Sequence, residues 1–191
     1  MGTVSPYQPH KLFIACLYGG ESSFADVRSI VEDRFGLVDD ALAPREFSYS
    51  TYYEAEMGPG LVKTLFSFAS LVDPSTLAWY KHATNAVEEK TRESAGAHTD
   101  ALPGRTLNLD PGLLSLSRVM LATTKAGAHR VPLRDGLFAE VTLLYRRGRY
   151  RPLEWTYPDY QSDAFVEWLA RVRSTYHEQL RRLDPTRAWR L

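Results

Sequence analysis

The run Leu12-Phe-Ile-Ala-Cys-Leu-Tyr18 decides how this chain is read. It is fully apolar, far too short to span a membrane, and closed by Gly19-Gly20. A segment of that kind suits a central strand buried on both faces. Upstream, residues 1–10 are polar, contain Pro6 and Pro9, and are expected to form a flexible arm. Downstream, Ser22 or Ser23 can cap a helix carrying Phe24, Val27, Val31 and Phe35 at helical spacing, with Gly36 as its stop.

The aromatic and hydroxyl-rich stretch Glu46 to Met57 reads as a strand closed by the turn Gly58-Pro59-Gly60, and Leu61 to Val72 as its partner. Asp73-Pro74 marks a helix start, with the helix reaching about Glu93. The small, polar residues Ser94 to Pro103 read as an exposed loop, and Arg105 to Leu114 as the next strand. This β-α-β-β-α-β order predicts an α/β (α+β) fold, a ferredoxin-like two-layer sandwich with a mainly antiparallel sheet and helices on one face. Four further strands are expected over Leu116–Thr124, His129–Leu133, Leu137–Tyr145 and Tyr150–Trp155. The last two flank Arg146-Arg147-Gly148-Arg149, a hairpin signal. Phe165, Leu169, Val172, Tyr176, Leu180 and Leu183 then mark a C-terminal amphipathic helix. The expected organisation is one globular domain over 11–184 with a tail at 185–191, consistent with a chain of 191 residues.

Lys plus Arg and Asp plus Glu both number 23, so no global charge points to nucleic acid. The distribution is uneven. Residues 1–114 hold nine basic against fifteen acidic side chains, and residues 115–151 hold eight against two. That basic block, from Arg118 to Arg151, can attract an anion or pair with the acidic first half of the chain. The single cysteine, Cys16, falls inside the apolar run and reads as a core residue. The N-terminal residues lack a signal-peptide pattern, so a cytoplasmic protein without a membrane partner is expected.

Three groups of residues carry candidate chemistry. If Glu46 to Met57 is extended, Glu54 and Glu56 point to one face, where two carboxylates can hold a hard cation such as Mg²⁺ or form a solvated polar face. Asp110 is a third candidate ligand, although Asp110-Pro111-Gly112 is also turn chemistry. Thr123, Thr124, Lys125, His129 and Arg130 lie close together around Gly127, and their hydroxyl, ammonium and guanidinium groups suit a phosphate or carboxylate. His129 is the candidate general acid or base, against a purely structural role. Trp155, Tyr157 and Tyr160 can stack a planar ligand or plug a core edge, and Asp159 is expected to cap the last helix. No G-x-x-x-x-G-K-[ST] phosphate loop is present.

Four of these stretches together resemble a known family. They are Tyr52-Tyr53-Glu54-Ala55-Glu56-Met57-Gly58, Asn108-Leu109-Asp110-Pro111-Gly112, Ala122-Thr123-Thr124-Lys125 with His129-Arg130, and Trp155-Thr156-Tyr157-Pro158-Asp159-Tyr160. In this order they resemble the bacterial and archaeal domain of unknown function family 4416, over about Lys11 to Leu180. The resemblance implies no established activity.

Two functions are therefore expected as alternatives. In the first, Thr123, Thr124, Lys125, Arg130 and Tyr157 bind a phosphorylated or nucleotide-like ligand, His129 serves as acid or base, and Glu54, Glu56 and Asp110 hold a divalent metal such as Mg²⁺. In the second, a non-catalytic scaffold docks a protein or RNA partner through the basic hairpin.

Overall fold

A computed structural model describes residues 2, 5–19, 22–96 and 104–184, and in it the apolar run lies within β1, His10–Tyr18. Every residue of β1 is buried. Strand β3, Val62–Val72, pairs with it on one side and β4, Leu107–Leu114, on the other, both antiparallel. The alternation of side chains explains burial on two faces. Leu12, Ile14, Cys16 and Tyr18 share a core with residues of helices α1, Phe24–Phe35, and α3, Leu77–Gly96. Phe13 and Ala15 join a second core with Phe165, Trp168, Leu169, Val172 and Tyr176, all from the C-terminal helix Asp163–Leu183. Trp168 is fully buried there and meets Phe13 edge to face at 6.0 Å.

The C-terminal helix thus covers the sheet face opposite α1 and α3, and the expected two-layer sandwich with helices on one face is corrected. The fold is mixed α+β with an antiparallel sheet of eight strands in the order β2-β3-β1-β4-β5-β7-β6, with β8 also paired to β7. That order differs from a four-stranded ferredoxin-like sheet because β5 (Arg118–Thr123), β6 (Arg130–Pro132), β7 (Phe138–Arg146) and β8 (Arg149–Pro152) extend the sheet past β4.

Strand β2, Val38–Glu46, replaces the strand expected at Glu46 to Met57. Its two aspartates and Pro44 carry little strand signal, yet it is the sheet's outer strand, where proline and charge are tolerated. Beyond it, hydroxyl groups serve the backbone locally. Tyr52 donates its N–H to Ser50 Oγ at 3.1 Å, and Glu54 donates to the Thr51 carbonyl at 3.0 Å. One helical turn, α2, Glu54–Met57, follows. Met57 packs with Leu17 and Leu61 and pins this turn to the sheet.

Other local signals produce the expected elements. Ser23 and Asp26 form a reciprocal capping box at the start of α1. Asp73 caps the 3₁₀ turn Pro74–Thr76 that leads into α3. Arg146 pairs with Arg149 across a two-residue turn in which Arg147 and Gly148 both have positive φ, 52° and 81°. Helix α3 runs through Ser94 to Gly96, while the rest of the expected loop, 97–103, and the tail 185–191 lie outside the described residues. No helix among the described residues is long and apolar enough to cross a membrane.

Candidate functional site

The two halves of the sheet are joined by a short ladder. Only Gly112–Leu121, Leu113–Met120 and Leu114–Val119 pair between β4 and β5. Further along, Ala122 and Thr123 remain with β7 while Leu107 to Pro111 remain with β1, so the two strands part. A cavity of about 740 Å³ opens at this fork.

One wall comes from α3. Lys81, Asn85, Glu88 and Arg92 line the cavity, a polar stripe at i, i+4, i+7 and i+11. Lys81 is buried and donates to the Leu109 carbonyl and to Asp110 Oδ1, each at 3.0 Å. Glu88, also buried, accepts the Leu109 N–H at 2.7 Å. These side chains supply the hydrogen bonds that a neighbouring strand would give β4 in an unbroken sheet. Arg105 ties the wall together, donating to Glu88, Asn108 and Glu56 at 2.9 Å each. Burial pushes the Glu88 carboxyl above its ordinary pKa despite Lys81 and Arg105. Burial would also raise Asp110, but the Lys81 ammonium and the Asn108 amide hold it below the usual range.

The facing wall is aromatic. Lys63 pairs with Asp159, and its ammonium lies 5.0 Å from the Tyr160 ring centroid and 5.5 Å from that of Phe47. Tyr160 is 2% exposed, and its hydroxyl has no hydrogen-bond partner among the described residues. Burial raises the hydroxyl pKa of both Tyr160 and Tyr53.

The structure gathers part of the set expected from sequence. Thr123, Thr124, Lys125 and Tyr157 line the cavity. The Lys125 ammonium stands 4.6 Å from the centroid of the Tyr52 ring and meets no carboxylate among the described residues. Arg130 does not line the cavity but braces its rim. It donates to Glu140 at 2.8 Å, to the Lys125 carbonyl at 2.9 Å and to the Tyr157 hydroxyl at 3.1 Å, which positions both of those residues. His129 is also outside the lining, stacked on Trp155 at 4.7 Å with Nε2 3.1 Å from Glu140. Tyr160 belongs to the core and to the cavity wall at once.

The carboxylates do not converge as expected. Glu54 and Glu56 lie on a helical turn and not on a strand, so their shared face is lost. Glu54 is exposed and outside the cavity, Glu56 is paired with Arg105, and Asp110 with Lys81. Among the described residues no three His, Cys, Asp or Glu side chains are grouped to hold a metal ion. Asp159 is likewise not a helix cap. It lies inside the 3₁₀ turn Pro158–Gln161 with its carboxylate on Lys63, and Ser162 occupies the N-cap position of the C-terminal helix, which is α4.

Lys63, Lys81, Glu88 and Arg105 were not singled out from sequence, whereas Tyr160 was expected either to stack a ligand or to plug a core edge. The period of the α3 stripe was the available signal for Lys81 and Glu88. Lys63 is brought to the cavity by tertiary packing alone.

The family model for a domain of unknown function, DUF4416, matches residues 8–176. The chain belongs to the DUF4416 family. No curated protein and no solved structure matches it. In this DUF4416 chain the match includes every strand and the α3 stripe, so all of the described cavity walls fall within the family region.

Proposed function

We propose that this protein binds a small phosphorylated, nucleotide-like ligand in the cleft at the β4–β5 fork. The observation that carries the reading is the state of Lys125. The wall carboxylates Asp110, Glu56, Glu88, Asp159 and Glu140 each meet a cationic partner, whereas among the described residues the Lys125 ammonium meets only the Tyr52 ring. Lys125 and the adjacent hydroxyls of Thr123 and Thr124 suit an anionic group at the rim. Tyr52, Tyr53 and Tyr157 supply rings for a planar group. The unpartnered Tyr160 hydroxyl offers a polar contact deeper in the wall. The proposal assigns no metal to the side chains, since Mg²⁺ is commonly carried on substrate phosphates with few protein ligands.

The test is thermal unfolding with nucleosides, nucleoside mono-, di- and triphosphates and inorganic phosphate, each with and without Mg²⁺. A ligand at 100 times its Kd stabilises the folded state by about 2.7 kcal/mol. The expected result is a shift for phosphorylated compounds that Lys125→Ala removes without changing the ligand-free Tm. No shift across the panel overturns the proposal.

A further inference from the structure

On a second surface, away from the cleft, the chain gathers cations that meet no carboxylate among the described residues. Arg118 on β5 is in register with Leu144 on β7, which is in register with Arg151 on β8, and Arg146 is directly opposite Arg149. Strand alternation therefore puts Arg118, Arg146, Arg149 and Arg151 on one face, with Arg147 at the turn. All five are exposed. None meets a carboxylate among the described residues, although Arg28, Arg92, Arg105, Arg130, Arg134 and Arg171 each do.

Local energetics disfavour this arrangement. Like charges directly opposite on paired strands repel, and Arg146 faces Arg149. The turn needs positive φ at both central residues, which favours Asn, Asp or Gly where the chain has Arg147. Two departures from local preference at one hairpin are what a binding surface produces. The other face of the hairpin holds its aromatic residues inward. Tyr150 is 1% exposed, Tyr145 packs on it at 5.2 Å, and the Arg173 guanidinium covers the Tyr145 ring at 3.6 Å. The arginine face thus has forked donors for phosphate and lacks the hairpin's rings for stacking bases.

We infer that this hairpin, with Arg118, docks on the sugar–phosphate backbone of a nucleic acid without reading its bases. The test is fluorescence anisotropy of the full chain with short DNA and RNA duplexes and single strands over a salt series, alongside a polyglutamate competitor. On DNA duplex the slope of log K against log salt should be about −3 or steeper, since each phosphate contact contributes about −0.9. Arg146→Ala/Arg149→Ala/Arg151→Ala should make it shallower by about 3 without lowering Tm. A matched control, Lys90→Ala/Arg181→Ala/Arg182→Ala, should leave the slope as it was. The DNA and RNA arms identify which backbone is preferred. Failure to bind either at low salt, an equal loss in the control, or polyglutamate bound as tightly as the duplex would each overturn the inference. Loss of the cleft ligand through Lys125→Ala has no bearing on these outcomes, so the two readings fail separately.

Discussion

Lys81 and Glu88 stand two turns apart on one face of α3 and hold Leu109 between them, one at its carbonyl and one at its N–H. A helix thereby satisfies the edge of a strand at Leu109, where β4 has parted from β5.

Removing one arm of that grip should be costly. Glu88→Ala leaves the Leu109 N–H without its acceptor and takes one carboxylate from Arg105. The expected loss is about 3 kcal/mol, or about 6–12 °C in Tm for a domain of this size. Glu88→Gln keeps an acceptor oxygen and should lose clearly less. Calorimetry of both variants checks this, and an unchanged Tm for Glu88→Ala contradicts it.

Lys11 should impose a pH dependence at the alkaline end. It is fully buried on the α4 side of the sheet, bonded to Asp39 and, at 3.0 Å, to Gln179. Burial outweighs the Asp39 interaction and holds its pKa below the ordinary 10.5. Between the folded pKa and 10.5 the unfolded chain binds a proton that the folded protein does not, so stability rises with pH across that window. Lys11→Met should abolish this rise. At neutral pH Lys11→Met should cost stability, because Asp39 keeps its charge and loses its cation, whereas the double variant Lys11→Met/Asp39→Asn should cost clearly less. Urea titrations at neutral and alkaline pH measure both effects.

Tyr160→Phe separates folding from binding. The ring packs on Phe165 at 4.4 Å, and its hydroxyl has no partner among the described residues. Deleting that oxygen should stabilise the ligand-free protein by about 1 kcal/mol and reduce the thermal shift produced by phosphorylated ligands. A destabilised variant would show that the hydroxyl has a partner inside the fold.

Gly112 is the β4 residue of the ladder pair nearest the fork, under the Phe13 ring. A Cβ there would collide with that ring and stand 2.8 Å from the Leu121 side chain. Gly112→Ala should therefore destabilise the fold by about 1–3 kcal/mol, read from urea unfolding.

Arg147→Asn should raise stability by about 0.5–1 kcal/mol, since asparagine tolerates the left-handed backbone at φ 52° better than arginine. The same variant should bind duplex more weakly. Together, chemical denaturation and anisotropy detect that exchange.

Elements with a strong local signal were legible in the sequence. The apolar β1 run, the Ser23 cap, Asp73-Pro74 and the Arg147-Gly148 turn each act through their own residues and near neighbours. The sequence reading failed where tertiary context overrode propensity. Strand β2 is polar because it is an edge, and of the aromatics after Glu46, Phe47 and Tyr53 pack toward Leu17 while Tyr49 and Tyr52 stay exposed at the cleft instead of extending a strand. For the site, the Thr123-Thr124-Lys125 rim was readable as an anion-binding composition. The charged wall was not, because Lys63 and Lys81 reach the cleft only when β3, α3 and the turn before α4 pack together.

The three-pair ladder between β4 and β5 also has a mechanical meaning. It is a seam between two hydrogen-bonded leaves, β2-β3-β1-β4 on one side and β5, β6, β7 and β8 on the other. The core built on α4 includes Leu42 from the first leaf and Leu143 and Tyr150 from the second, so the helix works as a strap across the seam. Any parting of the leaves at the cleft would therefore have to strain the contacts that the C-terminal helix makes with both of them.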